Sequence, residues 1–246
     1  MSSVDQGLVA LVTGGTSGIG LALVEALYAR GAVVWFCARN AETVGALLSR
    51  LPGTKGRVCD VTVASALTSM ANDIKNHEGR LDVLVANVGA MHQLDFTKAP
   101  LDEGSIRSEI DLNLTSVVLT VNAFLPVVTK SSMPHIVVVG SGYGWSPAGS
   151  APLYSAAKAG LRAFVKSLRG QLRGPGVHVM EVVPPVVDTP GAVERSGPRL
   201  APSEIARLTL RGIDRRLPVV FAGRTRLLPF MLRVAPAVLE RMTLRG

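Results

Sequence analysis

Leu8-Val9-Ala10-Leu11-Val12-Thr13-Gly14-Gly15-Thr16-Ser17-Gly18-Ile19-Gly20 begins as an apolar run of strand length and breaks on glycine. Ile19, Leu23, Ala26 and Leu27 then recur at helical spacing, so the glycines sit at a strand-to-helix turn. Glycine, with no β-carbon, lets backbone amides approach an anion closely, and the helix amino terminus adds partial positive charge. The stretch reads as the seat of a dinucleotide pyrophosphate, held by Gly14, Thr16, Ser17, Gly18, Ile19 and Gly20. Its plainer alternative is an ordinary tight turn between strand and helix.

Outward from that turn, strand-like runs recur at 8–13, 32–37, 56–59, 81–86, 135–139 and 177–183. Helical patterns fill most of the gaps, among them Ala41 to Arg50, Val63 to Asn76 and the long stretch from Leu101 to Lys130. Such alternation predicts an α/β fold, a doubly wound, Rossmann-like parallel sheet with helices on both faces and ligands at the carboxyl ends of the strands. The 246 residues contain no internal repeat, low-complexity segment or clear linker, so 1–246 reads as one domain. Within it, 191–223 forms a substrate-side segment and 224–246 an amphipathic basic tail. With 48% hydrophobic and 18% charged residues, the composition is that of a soluble globular protein. Met1 to Gln6 is polar and lacks the pattern of a secretory signal. Cys37 and Cys59 end consecutive strands and read as buried thiols of a reducing, cytoplasmic compartment. With so few ligands, no metal site is expected.

A second signal lies further on. Tyr154 and Lys158 stand four apart in a helical stretch, on one face, where an ammonium favours the ionised form of a neighbouring phenol. A tyrosine ordinarily titrates near pH ~10, so a nearby cation is one of the few ways to make it a usable acid and base. Tyr-x-x-x-Lys alone recurs by chance on surface helices. Tyr28 has no lysine one turn away, and Tyr143 lies in a glycine-flanked loop, so Tyr154 is singled out.

Gly14-x-x-x-Gly18-x-Gly20, Asn87-Val88-Gly89, Asn113, Ser141, Tyr154-x-x-x-Lys158 and Pro184 through Thr189 occur in an order and spacing that resemble the short-chain dehydrogenase/reductase family. The resemblance runs from about residue 8 to about residue 190 and is closest to the single-domain form. It implies hydride transfer between a nicotinamide and a small ketone, aldehyde or alcohol. Tyr154 would act as the acid or base, Ser141 would orient the reacting oxygen, and Lys158 would lower the Tyr154 pKa and bind the nicotinamide ribose. Asn113 would hold a water linking Lys158 to solvent; its plain alternative is a solvated helix asparagine. Asp60 and Val61 would meet the adenine, although Asp60 also reads as a helix cap. Asn87 and Gly89 would line the adenosine, and Pro184, the Val187 amide and the Thr189 hydroxyl the nicotinamide. Two residues depart from the family pattern. Val88 replaces the usual alanine, and Pro185 stands where glycine is usual, which constrains the loop beyond it. The resemblance also implies a homodimer or homotetramer, built partly on Leu101–Lys130 and Leu153–Arg173.

The second strand ends Cys37-Ala38-Arg39-Asn40 with no carboxylate to meet ribose hydroxyls, and Arg39 offers a planar set of donors to a 2′-phosphate. NADP(H) is therefore favoured over NAD(H), unless Arg39 merely caps its turn in solvent. Met91 to Leu94, Gly142 to Trp145 and Val186 to about Leu200 are the expected substrate walls, suited to an apolar or acyl-type compound. His92 among them reads either as a substrate contact or as a plain loop histidine. From Gly191 onward eleven arginines face four acids, an excess of seven out of the chain's +8. Arg226, Arg233 and Arg241 punctuate apolar residues there, interrupted by Pro229 and Pro236. Three readings fit this tail: packing on its own domain or a subunit partner, peripheral contact with an anionic membrane, or nucleic acid. No nucleic-acid motif supports the last. The alternative to an enzyme is a non-catalytic dinucleotide-binding sensor or assembly subunit, to which Pro185 and the tail are the only pointers.

Overall fold

Val9–Thr13, five consecutive buried residues, form β1, and the chain then alternates helix and strand in the order the hydrophobic pattern dictates. The computed structural model describes residues 7–92, 95–98, 100–185 and 200–244. The strands are β1, β2 (Val33–Ala38), β3 (Lys55–Val58), β4 (Val83–Ala86), β5 (His135–Val139), β6 (His178–Val183) and β7 (Val219–Phe221). They form one parallel sheet in the order β3-β2-β1-β4-β5-β6-β7. The chain reverses its direction of travel across the sheet between β1 and β4, which opens a crevice at the carboxyl ends of these two strands. β7 is not legible in the sequence; three residues are too short a run to carry a period.

Strand residues alternate between two cores. Leu11, Trp35, Leu84 and Ile136 face one side, where α3 (Ala64–Glu78), α5 (Ser116–Val128) and α6 (Pro152–Gln171) cover them with Ile74, Phe124 and Leu161. Val12, Phe36, Val85 and Val137 face the other, under Leu23 of α1 (Gly18–Ala29), Leu47 of α2 (Ala41–Arg50) and Ile205 of α7 (Pro202–Asp214). Each of these side chains is buried, and full burial of one is worth about 1.5–3 kcal/mol.

The long helical stretch expected from Leu101 to Lys130 is α4 (Glu103–Ile110), a π-helical turn at Asp111–Thr115, and α5. As one continuous helix of 26 residues it is apolar and long enough to cross a membrane, yet Val117, Val121, Phe124 and Val128 bury one face of it in the core. At the opposite end of the sheet from the crevice, His135 and His178 pair in register with their rings 5.1 Å apart. His135 Nε2 and both His178 ring nitrogens are buried without a hydrogen-bond partner. Burial lowers the pKa of both rings, that of His178 to about 4.

The basic tail folds back. A 3₁₀ turn at Gly223–Leu227 leads into α8 (Leu228–Val234) and α9 (Pro236–Leu244), with Leu228 and Leu239 buried against Val183. The Thr225 hydroxyl donates to the Val183 carbonyl at 2.6 Å, and the Gly149 N–H donates to the Thr243 carbonyl at 3.2 Å. Among the three readings of the tail, packing on its own domain is therefore present. Leu227, Phe230, Val234, Val238 and Met242 remain exposed on its outer side.

Candidate active site

The glycine turn is built for an anion. Gly14 has φ +66°, a left-handed conformation that side chains resist, and a methyl on Gly20 would lie 2.1 Å from the Gly14 carbonyl oxygen. Asn87 fixes the turn from beneath: its Nδ2 donates to the Thr13 carbonyl at 3.0 Å and its N–H to the Thr13 hydroxyl at 3.0 Å. Ser17 stands at the N-cap of α1, but its side chain makes no capping bond, and the first turn carries no acid. Among the described residues the α1 amino terminus thus has neither a side-chain cap nor an acid in its first turn, which fits a dinucleotide phosphate. Thr16, Gly18 and Ile19 complete the turn.

Beside it, Arg39 is exposed just past the end of β2. Asp60 accepts from the Thr62 N–H and hydroxyl, which hold its carboxyl below the ordinary range, with a smaller contribution from Arg39. The helix-cap alternative for Asp60 does not hold, because Val63 occupies the N-cap of α3 and Asp60 closes a local turn instead. Val61 is buried in the core beside it. Val88 packs on the same core and would meet a methyl on Gly14 at 3.1 Å.

Ser141, Tyr154, Lys158 and Asn113 converge at the carboxyl ends of β4 and β5. Ser141 follows β5, and its hydroxyl accepts the Tyr143 N–H at 3.2 Å. Tyr154 lies in the first turn of α6, half-buried, with the Tyr143 ring set edge-on at 6.4 Å. Lys158 is buried and donates to the Val139 carbonyl at 3.1 Å. Its Nζ lies 5.7 Å from the centre of the Tyr154 ring.

The expected lowering of the Tyr154 pKa is not realised in the protein alone. Burial pushes the phenol up to about 12; contact with Ser141 opposes this, while the charge of Glu109 adds to it. Lys158 is itself pulled down to about 8 by burial, against the attraction of Glu109 and Glu181. Its ammonium is engaged by the Val139 carbonyl and partly neutralised by two carboxylates, so desolvation dominates.

Asn113 is fully buried in the π turn, where both ends of its side chain are hydrogen-bonded. Its Oδ1 accepts from the Ala90 N–H at 3.1 Å, and its Nδ2 reaches the Ala90 carbonyl at 2.7 Å and Glu109 Oε1 at 3.1 Å. The solvated-asparagine alternative is thereby removed. Gly89 is wedged between: a methyl there would lie 2.9 Å from Asn113 Oδ1 and 3.0 Å from Lys158 Nζ.

Two acids of this region escape the sequence motifs, and His92 has a partner that they do not announce. Glu109 is buried one turn before Asn113, a helical spacing that would place a charge beside the amide. His92 puts Nδ1 2.6 Å from Glu109 Oε2, a contact between a loop and a helix that no sequence period marks. Glu181 on β6 accepts the Trp145 indole N–H at 3.1 Å. Trp145, expected on a substrate wall, instead packs edge-on against Phe221 at 4.9 Å and under the Arg162 guanidinium at 3.5 Å. It anchors the tail. Pro184 follows β6, its carbonyl accepting the Gly142 N–H at 3.3 Å. Val187 and Thr189 lie outside the described residues, as do Leu94 and the segment 186–199. A cleft of about 330 Å³, bordered by Phe96, Thr97, Gly149, Ser150 and Pro152, opens beside the first turn of α6.

The short chain dehydrogenase family pattern matches residues 8–198. An uncharacterized oxidoreductase of Bacillus subtilis, DltE, is 34% identical over 204 residues, covering 83% of this chain and 78% of its own. Another, from Staphylococcus saprophyticus, is 31% identical over 190 residues, 75% of this chain and 80% of the relative. A short chain dehydrogenase from Burkholderia cenocepacia in complex with NADP superposes with a TM-score of 0.88 over 98% of both chains, at 24% identity. Actinorhodin polyketide ketoreductase with NADPH gives 0.81 over 90% of this chain and 97% of its own, at 28% identity. The chain belongs to the short-chain dehydrogenase/reductase family, and it is an NAD(P)-dependent oxidoreductase of that family.

Proposed function

We propose that this oxidoreductase interconverts a ketone or aldehyde and an alcohol, using NADP(H), on an apolar or acyl-type substrate. The observation that carries the reading is the convergence of Ser141, Tyr154, Lys158 and Asn113 at the crevice beside a glycine turn whose helix terminus has no side-chain cap or first-turn acid among the described residues. The dinucleotide would be held by Gly14 through Gly20, Arg39, Asp60, Val61, Asn87 and Gly89, with Pro184, Val187 and Thr189 toward its reactive end. Bound there, the nicotinamide supplies or accepts the hydride. Tyr154 gives its proton to the carbonyl oxygen, and Ser141 fixes that oxygen by a hydrogen bond. Lys158 restores the Tyr154 proton and binds the adjoining ribose. A second cation is not needed for Tyr154 to donate: a phenol held neutral by burial is already in its proton-giving form.

Arg39 supports NADP(H), and the ketoreductase relative crystallised with NADPH supports the reaction. The cleft by Pro152 is the approach for substrate, and Thr243 of α9 steadies its Gly149 edge. Residues 1–246 act as one catalytic unit, as a homodimer or homotetramer, in a cytoplasmic setting where Cys37 and Cys59 stay free thiols. The tail's outer side, with Phe230 and Val234 among arginines, supports peripheral rest on an anionic membrane. Phe230→Glu with Val234→Glu then abolishes flotation with phosphatidylglycerol vesicles; equal flotation of both proteins removes that part.

The test of the activity is a screen of ketones and secondary alcohols, followed by absorbance of the reduced nicotinamide. Turnover with NADPH, lost in Tyr154→Phe, is expected. Absence of turnover across aliphatic, aromatic and acyl-thioester ketones favours the non-catalytic sensor.

A further inference from the structure

The buried carboxylate of Glu109 has no part in the chemistry above, yet it joins the innermost polar residue of the site to the surface. Its Oε1 accepts from Asn113 Nδ2 at 3.1 Å and its Oε2 lies 2.6 Å from His92 Nδ1. Glu109 is 1% exposed, whereas the His92 side chain is 58% exposed. A carboxylate that is costly to bury is thus wired at one end to Asn113 and at the other to an imidazole in water. We propose that Glu109 and His92 are the proton exit of the site, carrying protons between Lys158 and solvent. The inference rests on the carbonyl-reduction reading.

The geometry favours transport over simple bracing. Asn113 is already fixed by both polar groups of Ala90, so its position does not depend on a charge. The gap between Lys158 Nζ and Asn113 is kept free by Gly89, where a methyl would crowd both. Among the described residues, Lys158 and Tyr154 of α6 feel the charge of Glu109 and His92 of the loop after β4 touches it, the three groups that a relay requires. An imidazole is the side chain best suited to exchange protons with water near neutral pH.

The steps balance. In reduction, a C–H bond forms by hydride transfer and the new alkoxide oxygen takes the Tyr154 proton. The Lys158 ammonium returns a proton to the phenolate. The His92 imidazolium protonates the Glu109 carboxylate, which hands that proton to the Lys158 amine through a water in the gap beside Gly89 and becomes a carboxylate again, and His92 takes a proton from water. One solvent proton enters per carbonyl reduced, and oxidation runs the chain backwards.

Two experiments decide it. In protein free of nucleotide, the ring-carbon NMR shift of His92 followed against pH shows a second inflection where Lys158 titrates, near pH 8, and Glu109→Gln erases it. Superimposable curves for wild type and Glu109→Gln overturn the relay, and this readout needs neither substrate nor cofactor. In turnover, His92→Ala lowers kcat about tenfold with KM for NADPH unchanged, and added imidazole restores most of the loss. A wild-type rate, or a loss that imidazole leaves untouched, overturns the relay while leaving Tyr154 chemistry in place. A wild type that reduces no carbonyl compound sinks the reductase reading, and the titration curves then decide the wiring by themselves.

Discussion

The two sides of the crevice are made of different material. On the β1–β2 side the binding surface is backbone: Gly14, Gly15 and Gly20 clear space, and Asn87 ties the turn down through the Thr13 carbonyl. On the β4–β5 side it is buried charge: Lys158, Glu109 and Glu181 are 2%, 1% and 4% exposed. Backbone donors are set in place by the fold and indifferent to pH, whereas buried charges lower stability and tie function to proton supply. The nucleotide side therefore reads as a scaffold and the catalytic side as a strained one.

The largest break in that contrast comes from Tyr154→Phe. We expect kcat to drop by about 10²–10⁴, with NADPH affinity measured by fluorescence unchanged. Next is Lys158→Met. The Lys158 pKa falls from its ordinary 10.5 to about 8, so the folded state is penalised wherever the group is charged in both states. That penalty is full below about pH 8 and fades as pH rises toward 10.5, because the unfolded chain then holds the extra proton. The variant should gain about 3 kcal/mol at pH 7, offset partly by the freed Val139 carbonyl, and almost nothing above pH 10.5. Thermal unfolding at pH 7 and at pH 10.5 reads the difference; an equal shift at both means the charge was not costly.

On the backbone side, Gly20→Ala forces a carbon against the Gly14 carbonyl and should weaken NADPH binding about tenfold to hundredfold, independent of pH. A strong pH dependence of that loss would erase the distinction between the two sides. The smallest effect is Arg39→Asp, which should move the NADPH/NADH ratio of kcat/KM about tenfold toward NADH, read in steady state.

The same contrast explains what the sequence disclosed. Glycine spacing and strand-helix alternation are periodic, so the turn at Gly14–Gly20, the parallel sheet and six of its strands were legible. Ser141, Tyr154 and Lys158 were legible as residue types in order. Glu109 with His92 was not, since its meaning lies in a contact between a loop and a helix 17 residues apart. The π turn around Asn113 was hidden as well, because an i→i+5 backbone bond leaves no mark on side-chain pattern. The tail's return onto β6 depended on Trp145 and Thr225 finding Glu181 and Val183, pairings that composition does not encode.

The histidine pair at the amino ends of β5 and β6 sets an acid limit for the whole molecule. His178 stays neutral in the sheet down to about pH 4, while in the unfolded chain it takes up a proton near its ordinary 6.5. Stability is therefore intact above pH 6.5 and drains away toward pH 4, by about 2 kcal/mol from this half-buried ring once solvent screening is allowed for, with His135 shifted in the same direction. A cell that acidifies would weaken this enzyme from the end of the sheet farthest from its chemistry, and His178→Phe should return that loss near pH 4 while leaving stability above pH 6.5 untouched by the titration.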